Sequence, residues 1–194
     1  MFPDRLRQTL TGIVELTALQ LHFLEAHYQL LLRWNRVLNL TAIDSLEEAV
    51  ERHYAESLFL AVHLPQRPLR IADVGSGAGF PGIPVAVFRP DCSVTLIEAH
   101  QRKSVFLREA SREMSNVRVL AGRAEDVTES FECAVSRAVS YQDLVPVLKK
   151  IAVSADLLTG GEEPPPELGF RWEEAIPLPW GQRRFLRIGV SRET

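Results

Sequence analysis

Four glycines fall within the ten residues Asp73-Val74-Gly75-Ser76-Gly77-Ala78-Gly79-Phe80-Pro81-Gly82, directly after the apolar run Leu69-Arg70-Ile71-Ala72. Residues of these types at this spacing make a loop for a nucleotide-type cofactor. Glycine allows sharp turns at positive φ and removes the Cβ atoms that would hold a ligand off the main chain, so Gly75, Gly77 and Gly79 are read as cofactor-contacting. Asp73, closing the preceding strand, either fixes the loop or meets a cationic group. Glu98 closes the next apolar run, twenty-one residues after Gly77, where a carboxylate can accept hydrogen bonds from ribose hydroxyls. A third run leads into Gly122-Arg123-Ala124-Glu125-Asp126, where a carboxylate or main-chain group can meet an adenine amino group. A fourth ends in Ser136-Arg137-Ala138, at the sheet edge where open α/β folds place their chemistry.

The spacing of Gly77 to Gly82 also fits the dinucleotide pattern G-x-G-x-x-G, so two cofactor classes compete. The acidic residue ahead of the first glycine favours the other class. Its D-x-G-x-G-x-G pattern resembles the first motif of S-adenosylmethionine (SAM) dependent methyltransferases. A dinucleotide oxidoreductase would need a hydride-transfer group such as a Tyr-x-x-x-Lys pair, but Tyr141 is followed at that spacing by Val145. Amino-group methyltransferases carry an (Asp/Asn/Ser)-Pro-Pro-(Tyr/Phe) motif after the fourth strand, and none is present.

Two segments position these groups. Residues 1–66 read as a helical extension, with capping patterns at Thr17/Gln20 and Ser45/Glu48 ahead of apolar residues at helical spacing. Residues 67–194 read as the methyltransferase core. Strands are expected over 69–74, 93–98, 117–121, 133–136, 155–158, 170–178 and 185–190, with helices over 101–114 and, interrupted by Pro146, over 141–151. This alternation predicts an α/β fold with a doubly wound, mostly parallel sheet of seven strands. Only 179–184 joins the last two strands, too short for a helical crossover, so they form a C-terminal antiparallel hairpin. That Rossmann-like arrangement is known from SAM methyltransferases.

The glycine run extended to Ile83-Pro84, together with Leu96-Ile97-Glu98, Lys103, Phe106-Leu107, Ala124-Glu125 and Ser136-Arg137-Ala138, resembles the RsmG family, also called glucose-inhibited division protein B. Its members are guanine N7-methyltransferases of small-subunit (16S) rRNA. Trp34-Asn35, Asn39-Leu40-Thr41 and Arg52-His53 extend the likeness into the helical segment. The resemblance implies SAM held by Gly75, Phe80, Ala124, Glu125 and Arg137, and substrate met by Arg123, Arg137 and Lys103. Its partner would be 16S rRNA, free or within the small subunit, and the location cytoplasmic. No catalytic acid or base is implied, because guanine N7 already offers a lone pair. A cell-division or RNA-binding module that merely retains the fold is the third alternative. Two positions depart from the family: Glu56-Ser57 replaces Asp-Ser, and Thr159-Gly160 replaces Lys-Gly.

The 194 residues, 46% hydrophobic, suffice for one sizeable core. The net charge of −3 excludes coating nucleic acid through an overall field, so RNA contact must be local. Arg102, Lys103, Arg108, Arg112, Arg118 and Arg123 form one candidate basic face, and Arg183, Arg184, Arg187 and Arg192 another. No signal-peptide or membrane-spanning pattern is expected. Cys92 and Cys133 read as buried reduced thiols. His22 and His27, five apart, turn to different helix faces, and no metal site is expected. Phe80 reads either as a cofactor or base contact or as core, and the three tryptophans as packing residues.

Overall fold

The structure, a computed structural model, describes residues 1–43 and 45–192. The helical segment begins with α1 (Phe2–Thr9), started by Pro3 in its first turn, and α2 (Ala18–Leu38). In α2 the expected capping box is complete: the Thr17 side chain accepts from Gln20 N, and Gln20 Oε1 accepts from Thr17 N. Asn39, at φ 41°, ends it in the left-handed conformation that asparagine tolerates. Next comes one continuous helical run, α3 (Leu46–Ala49), a π turn (Val50–Ala55) and α4 (Glu56–His63). Ser45 caps it by accepting from Glu48 N.

The core supplies β1 (Arg70–Val74), α5 (Gly82–Phe88), β2 (Ser93–Glu98), α6 (Gln101–Ala110), β3 (Val117–Ala121) and β4 (Phe131–Arg137). It continues through α7 (Tyr141–Leu144), α8 (Leu148–Ile151), β5 (Ala152–Thr159), β6 (Phe170–Trp172), β7 (Ile176–Pro177) and β8 (Phe185–Ser191). The strand order is β3-β2-β1-β4-β5-β8-β6, with β7 also paired to β8. β1 to β5 are parallel; β8 inserts antiparallel between β5 and the edge. The expected mixed sheet with its C-terminal antiparallel hairpin is present.

Three elements differ from expectation. The strand foreseen over 170–178 is two short strands on the same side of β8: Trp172 pairs with Gly189 and Ile176 with Leu186. Three residues, Glu173-Glu174-Ala175, thus face only two on β8, a bulge of the kind that sheet edges accommodate. Pro177 is tolerated because β7 is an edge strand. The helix foreseen over 101–114 stops at Ala110, where the Ser111 hydroxyl bonds back to Leu107 O and the chain turns. Around Pro146 the segment 141–151 forms two single turns rather than one interrupted helix.

Alternation along the strands sorts the core into two faces. Ile71, Leu96, Val135, Leu158 and Leu186 pack with α1, α2, α4, α5 and α6 in one cluster running from Phe2 to Leu186. The helical segment is therefore built onto the sheet's own core. Ala72, Val74, Ile97, Ala155 and Leu157 pack beneath α7 and α8 in a second.

Candidate functional site

The glycine loop leaves β1 and enters α5, tied at both ends. Gly75 N and Ser76 N both donate to Ile97 O, at 3.0 and 3.1 Å, and Asp73 Oδ2 accepts from Gly82 N at 3.0 Å. Asp73 is fully buried, so its carboxyl fixes the loop from within. Burial raises its pKa from 3.8 to about 7, and its Oδ1 has no partner among the described residues. A Cβ on Gly82 would stand 2.5 Å from Asp73 Oδ2, so this anchoring admits no side chain. Gly75 and Gly79 sit at φ 73° and 90°, and a Cβ at Gly75 would meet Val139 Cγ2 at 2.6 Å.

Glu98 holds the other side. Its Oε2 accepts from Gly77 N at 2.8 Å and its Oε1 from His100 N at 2.8 Å, which leaves each oxygen a further lone pair. Gly75, Glu98, Arg123, Ala124 and Glu125 line one cleft at the carboxyl ends of β1, β2 and β3. Its far wall is Val139, Asp143 and Val147, from the start of the α7–α8 region. Spacing offers no signal for Asp143; it comes to the cleft because Ser140 caps α7 and binds the Asp143 carboxylate at 2.7 Å.

Gly77, Gly79, Phe80, Lys103 and Arg137 are not among the cleft's lining residues. Gly77 ties the loop to Glu98 through its N–H, and a Cβ on Gly79 would run into Ile83 Cδ1. Lys103 lies partly exposed on α6. The Phe80 ring is 4% exposed and packs into the helical segment, stacked on His53 at 4.5 Å and edge-on to His27 and Tyr54.

Behind the loop the helical segment forms a clamp. His27 Nε2 bonds Ala78 O at 3.0 Å, and the Tyr54 hydroxyl bonds His27 Nδ1 at 2.9 Å. A carbonyl only accepts, so Nε2 carries the proton and Nδ1 accepts from Tyr54. Burial lowers the His27 pKa to about 4, keeping that tautomer neutral. A second chain reaches Arg137 at the end of β4. Arg137 donates to Arg52 O at 2.7 Å and to His53 Nδ1 at 2.6 Å, and His53 Nε2–H donates to Thr41 Oγ1 at 2.9 Å. Asn35 closes the chain by accepting from Thr41 N at 2.9 Å and donating to Thr41 O. Burial, and then the Arg137 charge, lower the His53 pKa to about 2. The π turn carries Arg52, His53 and Tyr54 together, and such wide turns recur at functional sites.

A family model described as rRNA small subunit methyltransferase G matches residues 20–156, which take in the glycine loop, the cleft and both clamp chains. The chain belongs to this family, GidB. A ribosomal RNA small subunit methyltransferase G of Methylobacillus flagellatus is 41% identical over 151 residues, 74% of this chain and 73% of that protein. One from Aquifex aeolicus is 40% identical over 134 residues, covering 66% and 68%. A solved SAM dependent methyltransferase from Aquifex aeolicus superposes with a TM-score of 0.56 at 16% identity, over 73% of this chain and 92% of that one. At that identity it shows the shared fold, a Rossmann-like methyltransferase sheet.

Asn35, Thr41, His53 and Arg137, scattered over a hundred residues of sequence, all lie within the segment matched by the GidB model and meet in one hydrogen-bond chain. Nothing supports the dinucleotide reading: Tyr141, which would have had to serve it, spends its hydroxyl on Glu162 O. The module reading finds no support either. Both family departures have structural partners: Glu56 is buried and ion-paired to Arg184, and Thr159 Oγ1 accepts from Arg187 Nε at 3.2 Å. Cys92 and Cys133 are free and buried, and no helix among the described residues is long and apolar enough to cross a membrane. Among the described residues no group of three metal-ligating side chains occurs.

Proposed function

We propose that this chain is a SAM-dependent methyltransferase that methylates N7 of a guanine in 16S rRNA, in the cytoplasm. The observation that carries the reading is the convergence of Gly75, Glu98, Ala124 and Glu125 on one cleft, in a member of the GidB family. The residues present fit the cofactor. Gly75 leaves a slot against Val139 that a Cβ would fill, and Glu98 keeps free lone pairs at the strand end where ribose hydroxyls are met. Gly75, Gly77, Gly79, Glu98, Ala124, Glu125 and Arg137 would hold SAM, with Phe80 supporting the loop through its ring.

SAM supplies an electrophilic methyl group on a sulfonium centre. The protein's share is positioning and charge placement, because guanine N7 needs no base to accept that group. Arg137, held by His53 and the Arg52 carbonyl, keeps its guanidinium at the end of β4, to grip a carboxylate or the guanine O6. Arg123, exposed at the cleft rim, and Lys103 would contact RNA. Mapping N7-methylguanosine in 16S rRNA from cells with and without this protein tests the reading. Loss of one modified guanine on deletion is expected; an unchanged map overturns it.

A further inference from the structure

Arg187 is a cation built into the sheet. It faces the α7–α8 side from β8, opposite Leu157 of β5, and is 3% exposed. Its Nε donates to Thr159 Oγ1 at 3.2 Å, and its guanidinium lies 5.5 Å from the Phe185 ring centroid. Its ion-pair partner is very different. Glu163 receives both outer nitrogens, Nη1 to Oε2 at 2.7 Å and Nη2 to Oε1 at 3.0 Å, yet its own side chain is 81% exposed. It belongs to the acidic, proline-rich loop Gly160-Gly161-Glu162-Glu163-Pro164-Pro165-Pro166. Arg183 packs against the same loop, its Nε 3.2 Å from where a Cβ on Gly161 would be.

We propose that Arg187 is a phosphate-binding residue for the RNA substrate and that Glu163 is a latch occupying it until the RNA backbone displaces the loop. Three features carry this. A two-oxygen grip on a planar guanidinium is the geometry that carboxylate and phosphate share. Thr159 and Phe185 orient the arginine independently of Glu163, so it stays in place when the glutamate leaves. Glu163 is 81% exposed, so the glutamate itself gives up little burial on leaving, while the buried guanidinium it vacates requires a replacement anion, which a phosphate supplies. Thr159 ends β5 at the sheet edge that carries the candidate cleft, and Arg187 lies on the cleft's face of the sheet. Glu163, Arg183 and Arg187 all lie outside residues 20–156, the span matched by the family model.

The inference rests on the proposed rRNA activity, and the test separates the two. Methyl transfer to a 16S rRNA transcript is measured for wild type, Glu163→Gln and Glu162→Gln. The last two remove the same charge from the same loop, but only Glu163 grips Arg187. Glu163→Gln should lower the KM for RNA about fivefold, with SAM affinity by calorimetry unchanged. Glu162→Gln should change KM less than about twofold, and Glu163→Gln in an Arg187→Met background should also have little effect, because no cation remains there for a phosphate to meet. Equal effects of the two glutamine variants, or no change in KM, overturn the latch; a change in SAM affinity instead assigns Arg187 to the cofactor and also overturns it. Absence of transfer by the wild type overturns the rRNA reading itself.

Discussion

Asp73 ties the glycine loop to pH. Burial holds its pKa at about 7, so between about pH 4 and 7 the folded chain keeps a proton that the unfolded chain has lost. The stability supplied by the neutral carboxyl is complete below 3.8 and is lost as pH rises through about 7. Asp73→Asn keeps an oxygen for Gly82 N–H but cannot ionise. Its stability relative to wild type should therefore improve by about 1–3 kcal/mol between pH 5 and pH 8, read by urea unfolding at each pH. A difference that stays flat across that range would show that Asp73 does not titrate there. Gly77 makes a second case. A Cβ there has no close neighbour except Gly75 O at 3.9 Å, but φ is 56°, which a β-branched residue strongly disfavours. Gly77→Val should leave the far-UV circular dichroism nearly unchanged while lowering SAM affinity at least tenfold, because Gly77 N can no longer meet Glu98. Tight NAD binding with no SAM binding would contradict the cofactor assignment.

At the scale of elements, the loop depends on helices far away in sequence. Tyr54→Phe deletes one hydroxyl and leaves His27 Nδ1 buried without a donor, which should cost about 1–3 kcal/mol in chemical denaturation. SAM affinity should fall as well, since His27 holds Ala78 O. A variant as stable as wild type would show that the clamp contributes nothing. The loop, the parallel strands and Glu98 were legible because each is written locally, as a glycine spacing, an apolar run or a carboxylate at a strand end. The clamp was not. His27 meets the loop across 51 residues and His53 meets Arg137 across 84, and no spacing rule encodes such pairs. The histidines carried a visible chemical type, but only the packing of α2 and the π turn against the loop gives them partners. The break after Trp172 was hidden for another reason. The run 170–178 has strand composition throughout, and the bulge arises from its register against β8.

The molecule as a whole carries a net charge of −3, so attraction to RNA must come from locally placed basic side chains. Arg118 is engaged with Glu129 at 2.6 Å, whereas Arg123 is exposed beside the cleft. Arg123→Ala should weaken rRNA binding about tenfold and reduce the slope of affinity against salt by roughly one phosphate contact. Binding indifferent to both salt and the substitution would place the RNA surface elsewhere. The acceptor atom is the sharper question. The chain offers no motif for an exocyclic amine after β4, where Arg137 stands instead. A ring nitrogen with a free lone pair suits a site that works by positioning, provided the base is exposed from its stack. The most direct measurement compares methyl uptake from labelled SAM into two 16S rRNA fragments, one with guanine and one with 7-deazaguanine at the target. Both should bind, and only the guanine fragment should become labelled; undiminished labelling of the 7-deazaguanine fragment would contradict transfer to N7.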